Sequence, residues 1–485
     1  MAKRHAYDVL VLGGGAAGLT VASGAAQLGA RTLLVEREGR LGGDCLHYGC
    51  VPSKALLATA HARHLLARAG DFGLPAVAAP PVDFAAVRRR IEAVVAGIQE
   101  HDSPERFRRL GADVRFGEAR FVGDHEIALD GRRIDADRIV IATGSRAAVP
   151  DLPGLAETGW LTNRELFSLE ALPEHLVILG GGAVAVEMGQ AFARLGARVT
   201  LVQRGPRLLS REDPDLAAVV AGRLAAEGVD LRLGARLVAA AAGPGGTRQV
   251  VFERDGRRET VVGTHILAAQ GRLANLDGLG LDAAGVDHTQ KGLVLDARLR
   301  TSRGHIFGAG DVTGSHLFTH AAGYEGGVVV AGAVLRLPRK ADYRHLPRCL
   351  YTEPQLAVVG MTEAEARGAG ELGEVVVEPF AGNDRARAEG TAEGLCKLVL
   401  GRRGRLLGVG IVGPAAGELA APFAVALAGR LGLGSLAGAV LPYPTLAEIG
   451  KRAAGQPLSR KLFSPPVRRL LGVVLGYRGR GPTDL

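Results

Sequence analysis

Apolar positions along this chain fall into two short runs built alike. Asp8-Val-Leu-Val-Leu12 is nearly unbroken in its hydrophobicity and stops at Gly13-Gly-Gly15-Ala-Ala-Gly18, after which small and apolar residues continue. A run of this length bounded by glycines predicts a buried parallel strand, and the stretch behind it a helix packed on that strand. Thr32-Leu-Leu-Val35 predicts a second strand, which ends at Glu36. The same order returns as Leu176-Val-Ile-Leu179, Gly180-Gly-Gly182-Ala-Val-Ala185 and Val199-Thr-Leu-Val202. Strands alternating with helices in this way predict an α/β chain with two Rossmann-like nucleotide-binding domains.

The glycines say what each unit is for. Gly13, Gly15 and Gly18 permit a tight turn and a close approach to a pyrophosphate, which the following helix N-terminus faces. Glu36 stands 23 positions after Gly13, where a carboxylate accepts hydrogen bonds from a free ribose diol. In the second unit Gly180, Gly182 and Ala185 take the glycine positions. The same offset from Gly180 lands on Gln203, followed by Arg204 and Arg207. A carboxylate repels a 2′-phosphate, whereas an amide beside two arginines attracts one. The first unit therefore suits FAD, and the second is expected to take NADPH in preference to NADH. The alternative is that both arginines are solvated surface charge.

Between the two units lies Leu41-Gly-Gly43-Asp-Cys45-Leu-His47-Tyr-Gly-Cys50-Val-Pro-Ser-Lys54. Two thiols this close can form a disulfide if their Cβ atoms face each other. A helix N-terminus and a nearby lysine favour the thiolate that exchanges with disulfides. A zinc half-site is the competing interpretation. It needs a second pair of ligands, and the other cysteines, Cys349 and Cys396, are isolated. No metal site is expected.

With these segments the chain resembles the flavin disulfide reductases, the family of dihydrolipoamide dehydrogenase, glutathione reductase and mercuric reductase. The resemblance runs from about residue 6 to residue 460. It extends through Ile141-Ala-Thr143-Gly144-Ser145, Gly271-Arg-Leu-Ala-Asn275, Ile306-Phe-Gly-Ala-Gly-Asp311 and His320–Gly326. Tyr351–Glu363, Pro379–Arg385 and Gly413–Glu418 resemble the family's dimerisation domain. It implies a C-terminal α+β dimerisation domain behind the two nucleotide-binding domains, and a homodimer with shared active sites. It also implies that electrons pass from the nicotinamide through FAD to a Cys45–Cys50 disulfide. Cys50 would lie against the flavin and Cys45 would attack the acceptor. Lys54 would pair with Glu187 beside the flavin ring, while Asp311 would bind the ribityl chain. Gly43, Thr143, Gly144 and Gly271 would line the nucleotides.

One segment departs from the family pattern. Thiol-producing members carry His-Pro-Thr-x-x-Glu near the C-terminus, where the histidine moves a proton in the partner's active site. Here the segment reads Leu441-Pro-Tyr443-Pro-Thr-Leu-Ala-Glu448. A phenol is a poor base at neutral pH, though it donates a hydrogen bond or assists a soft metal. Mercuric reductases share this tyrosine, but their C-terminal vicinal cysteines are missing from Gly479–Leu485. His47 is a conceivable substitute base, with plain hydrogen bonding the favoured role. The acceptor is expected to be a small-molecule disulfide, a soft metal ion or another thiol-reactive group. A dihydrolipoamide dehydrogenase, or a redox sensor or complex subunit with little turnover, are the other candidates.

Composition narrows the rest. A chain of 485 residues has room for three domains, expected at 1–150 with 276–345 for FAD, 151–275 for the nicotinamide and 346–462 for dimerisation. Helices are expected on either side of the Gly70–Pro81 stretch, and a loose hairpin connection over Val238–Thr247. No leader precedes the first strand, no run of about 20 apolar residues occurs, and the four cysteines suit a reducing compartment, so a cytoplasmic location is expected. The net charge of +9 is taken as spread arginine, because aromatics at 4% argue against nucleic-acid binding. The tail 463–485 carries the apolar run Pro465–Tyr477 with two arginines near its start. Docking on the protein's own body is expected for it, with an anionic membrane surface the weaker alternative.

Overall fold

The computed structural model describes residues 5–477, arranged as two compact units. One takes in the chain up to residue 208 together with 224–342, the other 209–223 together with the chain from 343 onward.

In the first unit the leading apolar run is β1 (Tyr7–Leu12), followed by α1 (Ala16–Gln27) and β2 (Thr32–Glu36). Next comes α2 (Cys50–Ala67), and the 70–81 stretch then leads to a further helix, Phe84–Gln99. With β3 (Ala112–Phe116) and β4 (Arg132–Ile141) the parallel order is β3-β2-β1-β4, and Val9 lies opposite both Thr32 and Arg138. Alternate residues of β1 face opposite sides of the sheet. Val9 and Val11 share a core with Ala17, Val21 and Ala25 of α1, while Leu10 and Leu12 share one with Phe121 and Ile127. Both faces are covered, which is why the strand reads as apolar throughout.

The second copy repeats this plan. β5 (His175–Leu179), α3 (Ala183–Leu195), β6 (Arg198–Gln203), β7 (Asp230–Leu233) and β8 (His265–Ala268) give the order β7-β6-β5-β8, again parallel. The expected loose connection at Val238–Thr247 needs correction. The hairpin is there, but Arg236–Ala242 is a strand paired with Arg248–Arg254, bulged between Leu237 and Ala239, and only 243–247 turns the chain. Ala239 and Ala240 lie opposite Val251 and Val250, so the partner strand supplies the β-branched bulk that alanine lacks. The unit closes with β9 (Ile306–Gly308), parallel to β4, and α4 (Thr319–Val329).

The C-terminal unit is an antiparallel sheet. Its strands β10 (Pro347–Leu350), β11 (Gln355–Gly360), β12 (Leu372–Pro379), β13 (Leu395–Gly401) and β14 (Leu406–Gly413) lie in the order β10-β11-β14-β13-β12. α5 (Glu448–Leu462) buries Ile449, Ala453 and Ala454 in a core shared with Phe380, Leu398 and Ile411. Residues 209–223 are tied to this unit by the buried Lys397, whose ammonium meets Glu363 at 2.8 Å, Asp215 at 3.0 Å and Asp213 at 3.3 Å. Burial alone would favour its neutral form, and the three carboxylates outweigh that.

Cys396 is fully buried in this core, and burial raises its thiol well above the ordinary range. Cys349, on the edge strand β10, is half-buried. The tail departs from expectation. It forms α6 (Pro465–Leu475), in which no side chain is buried and only Val467, Leu471 and Gly472 are half-buried, so the protein's own body covers the helix only in part. Pro465 at the first helical position restarts the chain as a separate helix instead of folding it back. Residues 478–485 of the tail lie outside the described residues. No helix among the described residues is long and apolar enough to cross a membrane.

Candidate active site

The first glycine turn is shaped by the backbone around it. Gly13 sits at φ +110°, and a Cβ there would overlap the carbonyl of Ala142 at the end of the neighbouring strand. Gly15 caps α1 with no side chain of its own, leaving the first N–H groups of the helix facing outward. Gly43 packs directly against Gly15, bringing the cysteine loop beside the turn. One oxygen of Glu36 accepts from the Gly14 N–H at 2.6 Å and the other from the Glu38 N–H at 2.7 Å. A cleft lined by Gly13, Glu36, Arg37, Gly117 and Thr143 opens at this point. A side-chain-free helix start gives the N–H donors that a dinucleotide's pyrophosphate requires, and the fixed carboxylate beside it the acceptor for a ribose diol, so these residues fit FAD.

Behind the cleft, Thr143 and Asn275 bond each other through side chain and backbone, which joins Thr143-Gly144 to the exit of the second nucleotide unit. Gly271 at φ +123° makes the turn before that exit. Asp311 accepts from Ser145 Oγ at 2.5 Å, and Arg272 lies 3.6 Å away. Burial pushes the Asp311 carboxyl up, partly offset by these two neighbours. Arg272 also donates to Asp44 at 2.8 Å, and Asn163 donates to the same carboxylate at 3.0 Å. The residue between Gly43 and Cys45 is therefore anchored from two directions.

In the second unit Gly180, at φ +132°, stands to the carbonyl of Ala269 as Gly13 does to that of Ala142. Gly182 caps α3, and Ala185 is fully buried one turn in. Gln203 closes β6 and packs over Gly181, with the exposed Arg204 and half-buried Arg207 following.

The cysteines occupy adjoining helix ends. Cys45 lies in the short helix Gly43–His47, and Cys50 opens α2. Both are thiols here, Cys45 half-buried and Cys50 exposed. Cys45 hydrogen-bonds to Cys50, and this bond is the main influence pulling the Cys50 thiol down to about 6. Burial opposes the shift, whereas Thr319, 3.3 Å from the Cys50 sulfur, and the charge of Lys54 reinforce it. The same bond and burial raise Cys45, so the thiolate belongs to Cys50 and the proton to Cys45. Lys54 Nζ donates to Glu187 Oε2 at 2.7 Å, joining α2 to α3.

Thr319, Asp44 and Asn163 are contributions that the spacing of motifs does not reveal. Thr319 immediately precedes the His320–Gly326 segment, and that adjacency is its only signal in the sequence. His47 is buried, and its Nε2 donates to the Leu41 carbonyl at 2.8 Å. Burial lowers its pKa, so His47 fastens the loop as a neutral hydrogen-bonding residue.

Tyr443 and Glu448 belong to the C-terminal unit. The Tyr443 hydroxyl donates to Asp384 at 3.0 Å, and this bond to a carboxylate raises the phenol's pKa further. Glu448 begins α5 and accepts from the Thr445 N–H at 3.3 Å. One group with ligand atoms close enough for an ion occurs among the described residues: Asp124, His125 and His305. The two imidazoles stack face to face at 3.8 Å with their planes 13° apart, which points their lone pairs along parallel planes and not at a common centre.

A paired glycine fold with a thiol couple between its halves defines a nucleotide-dependent flavin disulfide reductase. Residues 7–326 match the family model of the pyridine nucleotide-disulphide oxidoreductases, and 346–454 match that family's dimerisation domain. The chain belongs to this FAD- and pyridine-nucleotide-dependent family of enzymes. It is 33% identical over 450 residues to a mercuric reductase of Staphylococcus aureus, covering 92% of this chain and 82% of that protein. A dihydrolipoyl dehydrogenase of Thermus scotoductus is 37% identical over 453 residues, covering 91% and 95%. Among solved structures, the HOCl-induced flavoprotein disulfide reductase RclA from Escherichia coli aligns with a TM-score of 0.82 at 28% identity, covering 93% of this chain and all of that one, and it is also solved as a Cu(II) complex.

Proposed function

We propose that this NAD(P)H-dependent flavin disulfide reductase takes electrons from NADPH, works as a homodimer, and delivers them through Cys45 and Cys50 to a soft, thiol-reactive acceptor, a metal cation before a disulfide. The observation that carries the choice of acceptor is Tyr443, whose phenol is held by Asp384, which raises its pKa and makes it a still poorer proton donor. Reducing a disulfide yields two thiols, NADPH + H⁺ + RSSR giving NADP⁺ + 2 RSH, so a leaving thiolate must be protonated. Reducing a divalent soft ion makes no such demand, since NADPH + M²⁺ gives NADP⁺ + M⁰ + H⁺. A phenol that keeps its proton where thiol-producing relatives carry an imidazole suits the second balance.

The chain's own residues support the route. When bound, FAD accepts a hydride from the nicotinamide and passes on two electrons. Lys54 holds a positive charge beside Cys50, and Thr319 and the Cys45 thiol stabilise the Cys50 thiolate. Once both thiols ionise, Cys45 and Cys50 are soft ligands suited to a mercury or copper ion. The mercuric reductases and the Cu(II) complex among the related proteins agree with that chemistry. Gln203, Arg204 and Arg207 carry the preference for NADPH, and Tyr443 and Glu448 would serve the neighbouring subunit.

Steady-state oxidation of NADPH with Hg(II), Cu(II), oxidised lipoamide and glutathione disulfide tests the reading. Turnover with a metal ion at least tenfold above either disulfide is expected. Tyr443→His should then raise disulfide turnover while leaving metal turnover within about twofold. Fast disulfide turnover by the unmodified enzyme would overturn the choice of acceptor.

A further inference from the structure

The helix α6 leaves an apolar face uncovered. On helical spacing, Val467, Leu470, Leu471, Val473, Val474 and Leu475 occupy one continuous side. Arg468 and Arg469 stand at its two borders, and Gly472 lies between them on the opposite side. Val473 is 85% exposed, Val474 66% and Leu470 61%, values ordinary for lysine and unusual for a cluster of aliphatic side chains. Leu458 and Leu462 at the end of α5, Phe463 just after it and Tyr477 past α6 are exposed as well. A helix face of exposed aliphatic side chains marks a place of contact.

Two observations say what makes that contact. The match to the family's dimerisation domain ends at residue 454, before α6 begins. The sequence from Ile449 to Thr483 contains no aspartate or glutamate and eight basic residues. Within it Arg460 is taken up by Glu374, but Arg468 and Arg469 have no ion-pair partner among the described residues. An aliphatic face bordered by unpaired arginines, in a stretch free of acid, is complementary to a surface that is apolar inside and negatively charged outside.

We propose that α6, with the end of α5, docks this enzyme on the surface of an anionic phospholipid bilayer. The helix would lie in the plane of the interface, with Leu470, Val473 and Val474 inserted among the acyl chains and Arg468 and Arg469 at the phosphates. At 11 residues it is about 16 Å long and does not span the membrane. The contact is peripheral and weakens with salt, because part of it is electrostatic.

The test is flotation of the FAD-loaded enzyme with vesicles of pure phosphatidylcholine and of phosphatidylcholine with phosphatidylglycerol at 7:3. Binding to the anionic vesicles is expected, at least tenfold above binding to the neutral ones and falling as sodium chloride is raised. Val473→Asp with Val474→Asp, or Arg468→Glu with Arg469→Glu, should each reduce it at least tenfold. These side chains are exposed, so turnover and flavin content in solution should stay unchanged. Failure of the enzyme to bind anionic vesicles, or undiminished binding by both variants, would overturn the proposal. A shift from dimer to monomer caused by the valine substitutions without lipid would also overturn it, since the face would then be a subunit contact.

Discussion

The two glycine turns of this protein are the same device set to different tolerances. Gly13 and Gly180 both take positive φ against a strand-end carbonyl, and Gly15 and Gly182 cap their helices at φ −88° and −87°. The strand orders match, with the glycine-turn strand third in each. Differences begin one turn into the helix, where Gly18 stands in the first unit and Ala185 in the second. A methyl at Gly18 would overlap the Gly13 carbonyl, whereas Ala185 already carries one in a fully buried position. The second difference is at the end of the second strand. Glu36 grips the Gly14 N–H, while Gln203 only packs over Gly181. The first turn is closed and locked by charge, which suits a resident cofactor. The second has more room and no fixed carboxylate, which suits a coenzyme that enters and leaves each cycle.

The largest effect expected from breaking this comparison is at the helix. Gly18→Ala should yield protein that retains no FAD, because the helix start must move away from the pyrophosphate site to clear the Gly13 carbonyl. Flavin absorbance per protein after gel filtration reads this directly. The reciprocal Ala185→Gly should keep its flavin and lose about 1 kcal/mol of stability from helix propensity. Equal damage from both would mean that the two turns are not tuned differently.

Making the second unit resemble the first should have a smaller, selective effect. Gln203→Glu with Arg204→Ala should move the ratio of kcat/KM for NADPH over NADH toward NADH by about tenfold, worth about 1.4 kcal/mol. An unchanged ratio would remove these residues from coenzyme choice. Glu36→Gln is the converse. It exchanges a charged acceptor for a neutral one at the Gly14 N–H, and should weaken FAD by about 1.5–3 kcal/mol without affecting that ratio.

How much of this was legible in the sequence follows from which physics is local. The apolar runs, the glycines and the 23-residue offset to Glu36 and Gln203 are spacings along the chain, and the strands, turns and helices appear at those places. Lys54 and Glu187 were reached only by motif position in two distant segments, although they meet at 2.7 Å. The hairpin at 238–247 is legible, but not that its alanines 239–242 stay in a strand, because the pairing energy resides in Val250 and Val251 of the opposite strand. Thr319 is nearly 270 residues from Cys50, and no pattern near either residue announces their contact. For α6, the sequence shows an apolar run with arginines and cannot show that the described residues leave most of that run exposed.

The finest test concerns the bridge between the two units, where the comparison becomes a question about charge. Cys50, held at about 6 by Cys45, Thr319 and Lys54, is a thiolate above that pH and a thiol below it. In enzyme reduced by two electrons, the thiolate-to-flavin charge-transfer band should therefore fade as the pH drops through about 6, and persist up to pH 8. Lys54 lowers this pKa and Glu187 raises it, so cutting the pair from its two ends should have opposite results. Lys54→Met should move the midpoint upward, by about one unit for the loss of a nearby cation. Glu187→Gln should leave the cation unneutralised and move the midpoint downward by less. Shifts in the same direction would mean that the pair acts on Cys50 by positioning α2 against α3 and not through its charges. Opposite shifts would show that the second unit helps to set the redox thiol of the first.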